Sequence, residues 1–559
     1  MTAIGNFLFM ALASVLLISS SFSQVHGTER PKPKIVNIIN FIRLLEPRDP
    51  KITEEVLYET VVNQVNLMKQ YNLRGTFLLQ YDALMDSRYQ ELLKQLPRED
   101  FEIGAWWEIP QPLVEKAGLK WRGRYPWDWH ANVGFSTGYT PKEREKLADV
   151  YMADFKAVFG YYPKSVASWF IDAHTLNYLY EKYGIVASAN CKDQYGTDGY
   201  TLWGGYWNQA YYPSKINSYM PAQTAENQIP VPIFRMLGSD PVRQYDTGVG
   251  HNRQGVITLE PVYSFGGGDE AWVKWFFREL IEGESIGFGY AQAGQENSFT
   301  WDAMAHGLRI QFPLIAKLRD EGKLEVQTLE ESGEWFRENY KVTPATAVTV
   351  NDDLGDSDLG TVWFNSRFYR TNLLWEDGTL RIRDIHLFHE DFPSVYTKEV
   401  AMTNECNFFT LPVVDGYLWS NAETLAGLRL KAIVNDEEVL IKGSKPDIRS
   451  PEPGKLEISW PLINVEGRLE VTFTEDEMDI RLTRGEQLKW FFELEVADRN
   501  KLPFTDIAAN AVNASFEGYG YSLEAVEGTF SAEAADAHVF RILPHRNRIR
   551  LDMSTSLIP

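Results

Sequence analysis

The chain has 559 residues, more than one ordinary core accommodates, so two or three domains are expected. Its composition, 44% hydrophobic and 24% charged, excludes a disordered chain, and a net charge of −22 without any basic run argues against nucleic acid as a partner. The unusual component is aromatic: 17 Trp and 27 Tyr, many in loops beside Gly, Asn and Asp, where ring faces next to polar amides suit sugar rings.

Residues 1–27 read as a signal peptide, with an apolar run from Phe7 to Ile18 followed by small polar residues but no Lys or Arg before the run. At about a dozen residues the run is short of the roughly 20 that span a bilayer, and no later segment is long and apolar enough to do so. The expectation is a secreted or periplasmic protein, with a retained N-terminal anchor as the alternative. Cys191 and Cys406 are far apart and are expected to be buried free thiols.

From Lys34 the pattern alternates strand and helix. "KIVNIINFI" (Lys34–Ile42) is a near-continuous apolar strand, followed by a helix that Thr53 caps and Glu54 and Glu55 open. "GTFLLQY" (Gly75–Tyr81), "FEIGAWWEI" (Phe101–Ile109), "KSVASWFID" (Lys164–Asp172), "GIVASAN" (Gly184–Asn190), "VPIFRML" (Val231–Leu237), "SIGFGYAQA" (Ser285–Ala293) and "LEVQTL" (Leu324–Leu329) continue the series. Helices are expected between them, one opened by "TPKE" at Thr140, others at His174–Tyr183, Glu270–Glu282, Trp301–Glu321 and Leu329–Tyr340. Apolar strands alternating with helices imply a parallel sheet covered on both faces, and seven or eight such units imply a closed (β/α)7-8 barrel over residues 28–345. From 346 to 559 short alternating runs such as "LRIRDIHLF", "KLEISWPL" and "GRLEVTFT", separated by Asp, Gly, Asn and Pro, predict an all-β sandwich.

In parallel barrels the reacting groups sit at the C-terminal ends of strands. That rule selects Asn40 and Arg43 after the first strand, Tyr81 and Asp82 after the second, and Trp106, Trp107 and Glu108 after the third. It then selects Asp172 and His174, Asn190 and Asp193, Arg235 and Asp240, and Gln295, Glu296 and Asn297 in "GQENSFTW". The loop "GRYPWDWHANVGFSTGY" (Gly123–Tyr139) has neither helical nor strand periodicity and reads as one wall of a sugar cleft, with Trp127, Trp129, Asp128 and His130. Trp203 and Trp207, in a long insertion rich in Gly, Asn and Gln, extend the same reading, with core packing as the plain alternative.

The order of "RGTFLLQ", "FEIGAWWEI", "GYYPKSVASWFIDAHTLNYLYEKYGI" and "KLEVQTLEESGEWF" resembles the polysaccharide deacetylase-like (β/α) barrel superfamily over roughly Lys34 to Asn339. That superfamily also contains glycoside hydrolases with a barrel and a C-terminal β domain. The resemblance implies a carbohydrate-active enzyme. Its deacetylases hold a metal through an Asp pair after the first strand and a His-x3-His set after the third. This chain has "NIINFIR" and "GAWWEIPQP" there, whose amides and indoles cannot replace such ligands, so no metal or other cofactor is expected. The chain resembles the metal-free glycosidases of the group, inverting exo-sialidases among them, in which a histidine and an aspartate at the barrel mouth are implicated; Asp128 and His130 have the matching residue types.

Glycoside hydrolysis needs one group that protonates the leaving oxygen and another that activates water or attacks the anomeric carbon. The candidates are His130, Asp128, Glu296 and Asp172, although Asp172 also suits a helix N-cap and Glu296 the cap of the helix near Trp301. Arg43, Arg235, Arg243 and Arg253 suit an acidic sugar if they gather at one mouth, and ordinary ion pairing otherwise. Arg367, Tyr369 and Arg370 are the residues the β domain could lend to the cleft. The expected function is a secreted glycoside hydrolase with a carbohydrate substrate, acting by acid/base catalysis without metal. The alternatives are a non-catalytic carbohydrate-binding protein on the same scaffold and a carbohydrate esterase or deacetylase.

Overall fold

The computed structural model describes residues 32–355, 358–483, 488–533, 536–554 and 556–558, so the signal-like segment lies outside the described residues. β1 (Lys34–Ile42) is buried on both faces from its second residue onward. Its upper half pairs in parallel with β2 (Gly75–Leu79), which pairs with β3 (Phe101–Trp106) and then β4 (Val166–Ala167). A parallel bridge from Ser165 to Ala187 and a hydrogen bond from Ser168 N to Ala189 O at 3.1 Å connect this run to β5 (Ser188–Asn190), which pairs with β6 (Ile233–Arg235). On the other side β1 pairs with β7 (Gly289–Ala293), and its lower half also pairs with β8 (Glu325–Gln327).

A closed barrel is not shown by this pairing. Among the described residues no backbone pairing joins β6 to β7; the side chain of Gln292 spans the seam, its Oε1 accepting from Leu237 N at 2.8 Å. What the strands form is a parallel half-barrel with a short second sheet attached. Several strands are also shorter than their apolar runs: Lys164–Asp172 supplies only Val166 and Ala167 to the sheet. Apolar runs mark burial, and a buried segment becomes a strand only where a neighbouring backbone is in register to receive its hydrogen bonds.

The covering helices follow their caps. α1 (Glu54–Gln70) is opened by Thr53, whose side chain accepts from Val56 N. α2 (Pro141–Phe159) has Pro at its first position and a capping box between Thr140 and Glu143, and it ends at Gly160 with φ 85°. α3 (Ala173–Tyr183), α4 (Glu270–Glu282), α5 (Thr300–Asp320) and α6 (Leu329–Asn339) complete the layer.

From Thr346 the chain is antiparallel, in a ten-stranded sheet and an eight-stranded sheet. Rings from the two sheets meet, as Phe364 and Phe473 do at 5.2 Å between centroids. Residues 32–559 nevertheless form one compact unit, because the two architectures interlock. Strand Cys406–Phe409 adds in parallel to Tyr200–Trp203 of the long insertion, Trp207 stacks on Trp363 at 3.8 Å, and Trp203 Nε1 donates to Asp415 at 2.8 Å. A buried chain of alternating charge crosses the same junction: Arg235 to Asp193, Asp193 to Arg370, Arg370 to Asp384. The insertion's tryptophans are therefore core. Cys191 and Cys406 are both buried and free.

Removing the Trp207 ring should leave a large cavity at this junction. Trp207→Ala is expected to lower the unfolding free energy by about 3–5 kcal/mol in denaturant titrations; a loss below about 1 kcal/mol would show that the stack does not join the two parts.

Candidate functional site

A cleft of about 350 Å³ opens at the C-terminal ends of the parallel strands. Its floor is Arg43, the residue after β1. The buried guanidinium forks onto Glu108, two residues after β3, with Nε to Oε2 at 2.8 Å and Nη2 to Oε1 at 2.6 Å. Nη1 lies 2.8 Å from Glu296 Oε2, in the loop after β7, and 3.2 Å from Ser298 Oγ. The Trp127 ring lies 4.2 Å from the guanidinium. Asn297 fixes the backbone of Arg43 from both sides, accepting from its N–H at 2.9 Å and donating to its carbonyl at 2.8 Å. Gln80 donates to Glu108 at 2.6 Å.

Two carboxylates thus share one guanidinium in a buried place. Burial opposes the charge on Arg43, but Glu108 and Glu296 outweigh it and hold its pKa above the usual range. Glu108 takes the bidentate contact; Glu296 takes the single one, with Ser298 Oγ donating to its Oε1 at 2.5 Å. Burial pushes the Glu296 carboxyl up despite the opposing pull of Arg43, with Glu108 adding to the rise. If both carboxylates were ionised, the group would carry one uncompensated negative charge, which favours a proton on the less tightly paired member.

A third buried carboxyl, Glu260, stands on another wall. Gln295 Nε2 donates to one of its oxygens at 3.0 Å and Thr258 Oγ1 to the other at 2.8 Å, while burial pushes its pKa up. Lys192, just beyond β5, also faces the cleft from a buried position; burial lowers its pKa, and its hydrogen bond goes to the Asp193 carbonyl at 3.1 Å. Trp127, Trp129, Phe135, Trp169, Tyr200 and Tyr263 supply the aromatic walls. Leu237 lines the same space with φ 76°, a left-handed conformation rare for a branched side chain and held here by its bond to Gln292.

Of the residues selected from sequence, Arg43, Glu108, Trp127, Trp129 and Glu296 line this cleft, and Gln295 and Asn297 orient Glu260 and Arg43. Apart from Arg253 at the rim, the others lie elsewhere. Asp128 and His130 are not on the lining. Burial alone would raise the Asp128 pKa, but the Arg124 fork at 2.9 and 2.7 Å and two backbone N–H groups hold it down at about 2, so this carboxylate clasps its own loop. His130 is 3.9 Å from Asp128 and packs edgewise on Trp129. Asp172 is the N-cap of α3, accepting from Thr175 N at 2.9 Å, Ser136 Oγ at 2.6 Å and Arg144 Nη1 at 2.8 Å.

Asn40 lies beneath the floor, accepting from Gln64 at 3.0 Å. Trp106 stacks on Phe41 inside the half-barrel at 3.9 Å, and Trp107 packs outward on Tyr151. Asn190 reaches Tyr211, Arg235 is spent on Asp193, and Trp203 and Trp207 belong to the junction. Arg243 pairs with Asp353, while Arg253 lines the cleft rim. Among the described residues the β part lends none to the lining: Arg370 bonds Asp193 and Asp384, Tyr369 bonds Thr474 O, and Arg367 bonds Glu475. Lys192, Trp169 and Glu260 were missed. The strand-end rule reaches Lys192, two residues past Asn190, but Glu260 sits in an irregular loop with no local signal.

The donor set does not suit a metal ion. Glu108 and Glu296 are already committed to a guanidinium that would repel a cation, and no histidine among the described residues lines the cleft. Among the described residues no cluster of three or more His, Cys, Asp or Glu is placed to share an ion.

A family model described as a domain of unknown function with solved structure, DUF3863, matches residues 132–351, a span that includes Lys192, Glu260 and Glu296 but neither Arg43 nor Glu108. No curated protein matches the chain. Among solved structures, a Parabacteroides distasonis protein provisionally named a glycoside hydrolase/deacetylase is similar at 17% identity, covering 69% of this chain and 91% of its own, with a TM-score of 0.49. A Mycobacterium smegmatis protein provisionally named a polysaccharide deacetylase is similar at 14% identity, covering 55% and 91%, with a TM-score of 0.35. The 4-alpha-glucanotransferase of Thermococcus litoralis is similar at 11% identity, covering 94% and 98%, with a TM-score of 0.30.

Asp82 gives a test of the electrostatics beneath the floor. Burial pushes its carboxyl up to about 7, and its Oδ2 has no hydrogen-bond partner. A carboxyl whose folded pKa is raised favours the folded state at low pH and loses that contribution as pH rises from about 4 to about 7. Asp82→Asn, neutral throughout, is expected to remove on the order of a few kcal/mol of this decline; an unchanged stability–pH profile would show that Asp82 is ionised in the fold.

Proposed function

We propose that this cleft hydrolyses a glycosidic bond, and that Glu296 and Glu260 carry the proton transfers. The observation that supports this most directly is two buried carboxyls of raised proton affinity in one aromatic-walled cleft. In this reading Glu296 holds the proton that its neighbours Arg43 and Glu108 leave to it and gives it to the leaving oxygen as the C–O bond breaks. Glu260, oriented by Gln295 and Thr258, takes the proton of the water that adds to the anomeric carbon, or attacks that carbon itself. Trp127, Trp129 and Trp169 offer ring faces to the C–H faces of the sugar.

Lys192 supports an acidic sugar as substrate, because a buried ammonium that makes no ion pair among the described residues is the group a carboxylate substituent would meet. The segment 1–27 supports export, which fractionation of expressing cells tests by locating the protein outside the cytoplasm.

The activity test is release of free sugar from aryl glycosides and natural glycans, sialylated and uronic acid-containing ones included, read by mass spectrometry. Glu296→Gln and Glu260→Gln are each expected to lower turnover at least about a hundredfold. His130→Ala, outside the cleft, should stay within about twofold of the parent, and EDTA should change neither activity nor melting temperature. Full turnover in Glu296→Gln would remove the proposed acid. Glycan binding without release in the parent would make the cleft a recognition site.

A further inference from the structure

The loop that carries Glu296 does not end at the cleft. Phe299 lines the cleft and also a second groove, of about 620 Å³, between the starts of α1 and α5. Asp49 and Ile52 line both spaces as well, so the two are continuous across one shared rim. Beyond that rim the groove is walled by Val56 and Trp301, with Glu59, Asn63 and Asp302. Phe299 and Trp301 are half-buried and Val56 is 37% exposed, so apolar surface lies open there beside carboxylates. Trp301 N donates to the buried Thr60 Oγ1 at 2.9 Å, which fixes the ring-bearing residue on α1. Thr300 turns the chain from one space into the other with φ 67°, a conformation rare for a β-branched residue and characteristic of functional sites.

We propose that this groove holds the leaving part of the substrate, a chain of sugars without acid groups. The assignment rests on the reading of Glu296 as the proton donor: an acid stands beside the oxygen it protonates, so what that oxygen carries away lies on the acid's side of the cleft, and that side opens at Phe299 into the groove. Open rings and Val56 suit the C–H faces of sugars, and Asp49, Glu59 and Asp302 offer paired acceptor oxygens to hydroxyls. Charge selects the class. Asp49, Glu55, Glu59 and Asp302 stand against Lys51 alone among the described lining residues, so an acidic chain would be repelled. The cleft holds Lys192, and the groove holds carboxylates. An acidic sugar at Lys192 joined to non-acidic sugars along the groove satisfies both.

Binding and sugar release test the groove and the chemistry separately. Isothermal titration of residues 32–559 carrying Glu296→Gln, or Glu260→Gln if that variant does not fold, uses cellohexaose, mannohexaose and chitohexaose beside hexagalacturonate. At least one neutral chain is expected to bind, more tightly than hexagalacturonate. Its affinity should fall at least about tenfold on adding Trp301→Ala or the exposed pair Glu59→Ala/Asp302→Ala, the scale of a lost stacked ring or hydrogen bond. In the otherwise unaltered protein, Trp301→Ala should lower kcat/KM for a chain-bearing glycan at least about tenfold relative to an aryl glycoside of the same sugar. No neutral-chain binding, binding indifferent to both groove variants, tighter binding of hexagalacturonate, or an equal loss on glycan and aryl glycoside would overturn the proposal. Sugar release from aryl glycosides without chain binding would remove the groove and leave the hydrolysis standing. Groove-dependent binding without release of any sugar would remove the hydrolysis, and with it the role of leaving-group site, and leave a chain-binding groove.

Discussion

The site depends on a single guanidinium that must serve two carboxylates out of water. Arg43 can stay buried because Glu108 and Glu296 neutralise it, and they can stay buried because it does. The group is over-supplied with negative charge, so the pairing is unequal. Glu108 gains the planar bidentate contact, and Glu296 is held by one Nη1 contact and one serine hydroxyl, its proton affinity raised by burial. The three residues come from the ends of β1 and β3 and the loop after β7, so the geometry exists only when these strands lie side by side. Asn297 ties the third to the first through the backbone of Arg43.

Aromatic residues divide between two tasks that composition does not separate. Trp129 and Trp169 keep part of their surface on the cleft and the buried Trp127 covers Arg43, whereas Trp203, Trp207 and Trp363 are consumed in the junction. The junction needs them because it also buries the chain from Arg235 through Asp193 and Arg370 to Asp384, where alternating signs leave Asp193 and Arg370 each between opposite neighbours. Large rings exclude water around that chain and make the parallel and antiparallel parts one unit. The same packing fixes the insertion hairpin, whose Gln194, Thr197 and Tyr200 line the cleft.

Much of the framework was legible along the chain. Thr53, Thr140 and Thr328 open helices through contacts spanning a few residues, and the apolar runs locate β1 to β8 to within a few positions. Glu296 and Arg43 were reachable because strand ends in a parallel sheet share one face. His130 and Asp128 were misleading: an acid and an imidazole two residues apart look like chemistry, but Arg124, four residues before the aspartate, claims the carboxylate locally. Glu260 was invisible because its orientation comes from Gln295, thirty-five residues away in an unrelated loop.

Sequence by itself determined the class of each half, parallel α/β followed by antiparallel β, because hydrophobic period and capping are local properties carried by consecutive residues. It also determined which residue types stand at the strand ends. The tertiary structure decided that no backbone pairing joins β6 to β7 among the described residues, that the insertion's tryptophans are core rather than cleft wall, and which carboxyls are buried together. Those outcomes depend on which distant side chains meet in a place without water, and only there does burial raise the proton affinity of Glu296 against the pull of the guanidinium it shares.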